Sequence, residues 1–411
     1  MITLQPYLLY FFACVTALVL SLVSIPRIIY VSKRKRLFDV PDGGRKIHIN
    51  TVPNLGGIGI FFAYIIVTSV FINTSSLDKW NYICASSVLL FLTGINDDLV
   101  TIPPNKKFLA QLVAALITVV FADMRLNSLH GFFGVNELPY MVSVGFSVMG
   151  IIFVTNAFNL VDGIDGLAGS IAVLCSCTLG ICLALLGNKG GAFIAFSLMG
   201  AVIGFLRYNL SPAKIFMGDT GSLVIGFTIA VLCVMFFHSF PADLATAPRS
   251  EFPLLTTIHS IRGGMVIALS VLFVPVFDSF RVFITRMIEG GSPFKADRTH
   301  LHHYLLDLGF SHGQTVTILI TSNILIIVVA LLVQDYNPNI ALLSIFGLTF
   351  ILFGILYVMR RNRLAEIKSM KVNTGRNGMT LATGGSLYMN DNLSVNGSRE
   401  NVSSFVNSEK D

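Results

Sequence analysis

Three acidic clusters interrupt long apolar runs in this chain, and their residue types suggest phosphate and metal chemistry. In Asn156-Ala-Phe-Asn159-Leu-Val-Asp162-Gly163-Ile-Asp165-Gly166, polar residues recur at every third position. At 3.6 residues per turn such a series drifts around a helix instead of lining one face. The glycines at 163 and 166 predict that the helix stops there, with Asn159 and Asp162 pointing into a cavity at its end and Asp165 on the loop. Carboxylates beside apolar segments are costly and default to a functional reading; a polar terminus that merely caps is the alternative. In Gly94-Ile95-Asn96-Asp97-Asp98, followed by Lys106-Lys107, two adjacent carboxylates repel. A divalent cation or a shared proton relieves that repulsion, whereas a solvated Asp-Asp pair would need neither. In Phe216-Met217-Gly218-Asp219-Thr220-Gly221-Ser222 one acid sits between two glycines ahead of an apolar run. Glycines let a backbone approach a phosphate or metal closely; Asp219 or Ser222 as a plain helix N-cap is the other reading.

Two basic clusters complement these. Arg45-Lys46-Ile47-His48 precedes Pro53-Asn54-Leu55-Gly56-Gly57, which suits a phosphate or, more simply, a membrane anchor followed by a turn. Lys295-Ala-Asp297-Arg298-Thr-His300-Leu301-His302-His303 holds three of the eight histidines. With Arg298 these could grip a pyrophosphate or a sugar. Zinc is the rival, but no cysteine lies near and the acids suit a harder metal. Carboxylates with an amide for Mg²⁺, and Lys, Arg and His for phosphates, together suggest phosphoryl transfer. An ion-coupled transporter or channel, using the same acids as ion sites near mid-membrane, is the reading from another class.

The elements that must carry these clusters follow from composition. Of 411 residues 54% are hydrophobic and 12% charged, against about 25% charged in soluble domains, and mean hydropathy is +0.75. A soluble globular enzyme, a disordered chain and a coiled coil are excluded. Near-continuous apolar runs such as Leu8–Leu22 and Ile340–Met359 also disfavour a transmembrane β-barrel, whose strands alternate. The expectation is an all-α polytopic membrane protein with about eleven transmembrane helices. They fall near 7–29, 55–73, 80–95, 107–122, 143–158, 167–186, 190–206, 222–239, 264–284, 315–333 and 339–359, the third short enough to tilt or be partly re-entrant. The first lacks a basic leader and a small-residue cleavage site and reads as a retained span. The six cysteines nearly all lie in apolar runs and read as small apolar residues without a disulfide framework. No internal repeat is evident, which weakens an inverted-repeat transporter. Residues 1–360 form the expected membrane domain, with active-site loops, and 364–411 a disordered tail rich in Asn, Ser and Gly.

Of 28 Lys and Arg residues only Lys79, Arg125, Lys189, Arg249 and Arg262 fall on one side of these spans. The positive-inside rule therefore puts the other set, with all five clusters and the tail, in the cytoplasm and the N-terminus outside. The net charge of +6 is topological and no nucleic-acid partner is expected.

The strings Asn96-Asp97-Asp98, Asn156 through Leu167, Phe216-Met-Gly-Asp219-Thr-Gly-Ser-Leu and Asp297-Arg298-Thr-His300-Leu-His302-His303, in that order, resemble the polyprenyl-phosphate N-acetylhexosamine-1-phosphate transferases. The resemblance covers about residues 1–360 and looks closest to the WecA/TagO-like branch. Leu301 interrupts the histidine run that is continuous in the MraY-like branch. The resemblance implies transfer of N-acetylglucosamine 1-phosphate from UDP-GlcNAc to undecaprenyl phosphate in the cell membrane, with release of UMP, as the first membrane step of an envelope polysaccharide. It implies Mg²⁺, with Mn²⁺ able to substitute, held by Asp219 and Asn159. Asp97 or Asp98 would act on the lipid phosphate, Lys107 would hold a phosphate, and Asp165 would lie near the uracil with Asp162 close by. Arg298, His302 and His303 would contact the pyrophosphate or sugar. Candidate catalytic residues are thus Asp97, Asp98, Asp162, Asp165, Lys107 and His302. Candidate substrate contacts are Asn156, Asp165, Lys107, Arg298, His300, His302, His303 and His48. Another UDP-HexNAc or UDP-MurNAc-pentapeptide as donor keeps the chemistry. A homodimer is compatible with such a chain.

Overall fold

The computed structural model describes residues 5–37, 52–72, 77–129, 132–135, 137–239, 261–288, 290, 300–333 and 336–377. His48 and Arg298 lie outside them. The described residues are helical: α1 Gln5–Lys35, α2 Gly56–Phe71, α3 Trp80–Val100, α4 Pro104–Leu116, α5 Tyr140–Val161, α6 Leu167–Leu185, α7 Lys189–Asn209, α8 Gly218–His238, α9 Ile261–Val271, α10 Phe273–Ile288, α11 Leu301–Asp307, α12 His312–Val333 and α13 Pro338–Asn377. No strand forms among them; Ser128 and Glu137 make an isolated bridge.

Nine helices among the described residues are long and apolar enough to cross a membrane. α2 has 16 residues and falls short of the usual span. The third predicted span is a full helix of 21 residues, so it need not be re-entrant. The ninth, predicted as continuous over 264–284, is broken at Leu272 into α9 and α10. The cause is Pro275, which has no N–H to give the Val271 carbonyl four residues earlier. Asn323 on α12, fully buried, takes over: its Nδ2 donates to the Val271 carbonyl at 3.1 Å. Its Oδ1 accepts from Val274 N at 3.2 Å. The break re-aims α10 behind the histidine helix α11.

The chain divides into two compact units, Met1–Asn362 and Arg363–Asp411. The first holds the bundle. In the second, helix α13 continues to Asn377, so the start of the segment expected to be disordered is helical; 378–411 lie outside the described residues.

α8 is the axis of the bundle, buried continuously from Thr220 to Phe236 and packed by α3, α5 and α2. α3 reaches it at Gly94, where a Cβ would lie 2.6 Å from Thr220 N, so only a glycine admits this approach. Outside, α1 and α13 turn large apolar side chains outward, Phe11, Val19, Leu343 and Ile351 among them. That surface is stable where the surrounding solvent is lipid.

Asn323→Leu leaves the Val274 N–H without its acceptor and the Val271 carbonyl with only the Cys175 thiol, 3.3 Å away. Each unmet buried group costs about 1–3 kcal/mol, so a clear drop in the thermal-aggregation midpoint in detergent is expected from size-exclusion traces after heating.

Candidate active site

The helix ends bring the acidic clusters to one end of the bundle. Pro103 and Pro104 start α4, Pro at the first turn losing only an N–H that is unpaired there in any case. That start puts Lys107 on the first turns of α4, facing the end of α3. α5 stops at Val161 and Gly166, with φ +78°, precedes α6, as the two glycines predicted. α8 begins at Gly218, so Asp219 occupies its first turn.

Asp98 and Asp97 part company. The Asp98 carboxylate reaches from α3 to the start of α8. Its Oδ1 accepts from Asp219 N at 2.8 Å, and its Oδ2 from Thr220 N at 3.0 Å and Thr220 Oγ1 at 2.5 Å. The N-cap of α8 is thus supplied by another helix and not by Asp219 or Ser222. Asp97 turns the other way. Its Oδ1 accepts from Ile102 N at 2.8 Å, and its Oδ2 pairs with Lys107 Nζ at 2.9 Å. Lys107 Nζ also pairs with Asp219 Oδ2, so one ammonium bridges two carboxylates. Asp219 Oδ1 accepts from Asn159 Nδ2 at 2.7 Å, which also donates to Ser222 Oγ at 2.9 Å. Asp97, Lys107, Asp219 and Asn159 form one connected cluster.

Asp162 stands at the end of α5 beside it. Desolvation first, then the charges of Asp219 and Asp98, push its carboxyl well above the ordinary range. Asp165 faces away from the cluster: its Oδ2 accepts from Ala213 N at 3.2 Å and lies 3.5 Å from His312 Nδ1. Asn156 is engaged in a reciprocal amide pair with Gln111, at 2.6 and 3.2 Å.

The histidine helix completes the rim. A Cβ on Gly163 would lie 2.6 Å from His302 Nε2, so that ring rests on the Asp162–Gly163 corner. His302 stacks on His300 with ring centroids 5.7 Å apart and meets His303 at 4.2 Å. Burial, and next the neighbouring His303, depress the His302 pKa to about 3, which keeps it neutral.

Sequence reasoning missed four residues that shape this end. Gln111 lies one helical turn beyond Lys107 on the same face, a spacing that marks it. Asn209 clamps two loops, its Oδ1 accepting from Gly166 N and its Nδ2 donating to Ile215 O, both at 2.9 Å; no local signal announces that role. Thr220 gives its hydroxyl to Asp98. Asp278 is the lone acid of the 264–284 apolar run, a signal in itself.

The donors around Asp219 are oxygens with one amide, a set suited to a hard cation. Among the described residues no group of three or more His, Cys, Asp or Glu is arranged as a complete metal cage.

Residues 80–237 match the family model described as glycosyl transferase family 4. The chain is 29% identical over 348 residues to a probable undecaprenyl-phosphate N-acetylglucosaminyl 1-phosphate transferase of Bacillus subtilis (strain 168), covering 81% of this chain and 88% of that protein. It is 30% identical over 346 residues to the undecaprenyl-phosphate alpha-N-acetylglucosaminyl 1-phosphate transferase of Escherichia coli (strain K12), covering 80% and 86%. It is 31% identical over 297 residues to the decaprenyl-phosphate N-acetylglucosaminephosphotransferase of Mycobacterium tuberculosis (strain ATCC 25618 / H37Rv), covering 67% and 70%.

Two outcomes are expected. Asp98→Ala removes the cap of α8, costs about 0.5–2 kcal/mol of stability as for other caps, and so lowers the thermal midpoint in detergent. For His302 the folded pKa of about 3 lies below the unfolded value of about 6.5. As pH falls through that window the unfolded chain takes up the proton first. Stability is therefore whole above about pH 6.5 and drains below it, and His302→Asn should flatten the fall in midpoint between pH 7 and pH 5.

Proposed function

The chain belongs to glycosyl transferase family 4, and from that premise we propose that it transfers N-acetylglucosamine 1-phosphate from UDP-GlcNAc to undecaprenyl phosphate. The products are undecaprenyl-pyrophosphoryl-GlcNAc and UMP, a first membrane step towards an envelope polysaccharide. The observation that carries this reading is the cluster of Lys107 between Asp97 and Asp219, with Asn159 beside Asp219. Two anionic phosphates must meet for the attack, and fixed charges positioned around them do most of what such a transfer needs.

Lys107 neutralises the phosphates. Asp98 is committed to the amides of α8, which leaves Asp97, facing Lys107, to orient and deprotonate the lipid phosphate. The attacking oxygen forms a bond to the β-phosphorus as the bond from that phosphorus to the UMP oxygen breaks. Asp162, its carboxyl pushed above the ordinary range by desolvation and by the charges of Asp219 and Asp98, stands beside that centre, and Asp165 lies towards the uracil. His302, neutral, turns to the sugar or pyrophosphate together with His300, His303 and Arg298. Asn156 and His48 would be further substrate contacts. Mg²⁺ would be held by Asp219 with Asn159, the remaining ligands coming from substrate phosphates and water, and would supply neutralisation of the diphosphate charge.

We further infer eleven spans, with the N-terminus outside, the C-terminus inside and the site facing the cytoplasm of a bacterial inner membrane. Basic-residue asymmetry supports this. A lipid acceptor arriving through the bilayer and a nucleotide sugar arriving from the cytosol can both reach an interfacial site.

Purified protein in detergent, given undecaprenyl phosphate and UDP-[³H]GlcNAc, should move label into the lipid fraction and release UMP with Mg²⁺ but not with EDTA. Asp219→Ala should lose at least about 100-fold in rate while keeping its size-exclusion profile. Transfer from a different UDP-HexNAc alone would move the donor. A near-normal rate in Asp219→Ala would sink the metal assignment.

A further inference from the structure

We propose that Asp278 on α10 is a positioning residue that holds the histidine helix α11 against the Asp162–Gly163 corner. This rests on the transferase reading for its kinetic consequence, though not for its geometry.

Asp278 is buried, 2% exposed, in a segment where an acid needs strong partners. Three are found among the described residues. Its Oδ2 lies 2.9 Å from His300 Nδ1, its Oδ1 accepts from Leu301 N at 3.1 Å, and Arg281 donates to Oδ1 at 2.8 Å. Two of these contacts belong to the residues that open α11. A carboxylate can only accept, so the nitrogen facing it carries the proton and the other His300 nitrogen is directed away from Asp278. The His300 ring, fixed in that way, stacks parallel on His302 with an interplanar angle of 6°, and His302 in turn rests on Gly163.

The far end of α11 is tied down independently. Arg360 on α13 grips Asp307 Oδ2 through two nitrogens, at 2.9 and 2.8 Å, and its guanidinium lies 4.0 Å over the Tyr304 ring. A helix of seven residues has too few internal hydrogen bonds to hold itself. Its placement therefore depends on Asp278 at one end and Arg360 at the other. The contacts of Asp278 are with Arg281, His300 and Leu301 and not with the Lys107 cluster. Its effect passes through His300 and His302.

The test compares Asp278→Asn, which keeps shape and the Leu301 acceptor but presents an amide to His300, with Asp278→Ala. If Asp278 positions the histidines, Asp278→Asn raises KM for UDP-GlcNAc about tenfold or more, as small misplacements do. It leaves KM for undecaprenyl phosphate unchanged. The double variant Asp278→Asn/His302→Gln is then no worse than His302→Gln alone, because both act through one ring. A purely structural role would instead lower the active fraction with both KM values intact, and the two single effects would multiply. A readout without turnover accompanies this. Diethyl pyrocarbonate labelling mapped by mass spectrometry should be slow at His300 and His302 in the unaltered protein. It should rise severalfold at both in Asp278→Ala, with exposed His238 unchanged. Unaltered kinetics and labelling in both variants would overturn the proposal while transfer by the unaltered protein stands. Absent transfer by the unaltered protein would overturn the transferase reading, and the labelling would still decide the role of Asp278.

Discussion

The structure turns on one contact, the carboxylate of Asp98 on the first turn of α8. α8 is the buried axis of the bundle, and its leading amides have no partners within the helix. Asp98 satisfies two of them and the Thr220 hydroxyl, and its negative charge meets the positive end of the helix dipole. Since α8 begins there, the contact also sets where Asp219 stands. The glycine at position 94 on the same helix lets α3 come close enough for that reach.

Once Asp219 is placed, the remaining acids can share a single cation. Lys107 arrives on the first turns of α4 because the two prolines start that helix just before it. Its ammonium then bridges Asp97 and Asp219. Neither carboxylate would tolerate this environment alone. The same arrangement turns Lys107 to those two acids and away from Asp162, whose carboxyl is pushed above the ordinary range by desolvation and by the charges of Asp219 and Asp98. One end of a membrane bundle therefore holds a compact charge pattern made from four helix ends, with the neutral His302 at its rim.

Much of this was legible from residues alone. Asn156, Asn159, Asp162 and Asp165 at threefold spacing, with glycines behind them, marked a helix that ends among polar groups, and α5 does end at Val161. The apolar runs placed most of the helices because a lipid-facing helix must be apolar along its whole length. The breaks were harder to see. The 264–284 run looks continuous because hydropathy does not register that Pro275 orphans a carbonyl, or that a buried Asn323 far along the chain repairs it.

What the sequence determined by itself was therefore composition-level and local: an all-helical membrane protein, the five polar clusters, and the phosphate-and-cation chemistry their residue types suit. Those properties depend on hydropathy, helix-breaking residues and side-chain charge, all of which are carried by short segments. Tertiary structure alone decided that Asp97 and Asp98, adjacent in the chain, take opposite tasks, one towards Lys107 and one towards the amides of α8. It decided too that Asp165 turns away to Ala213 and that Asp278 fastens the histidine helix. Each of these depends on the direction of a side chain relative to an element elsewhere in the chain. Packing at glycines and prolines sets that direction, and no local pattern encodes it.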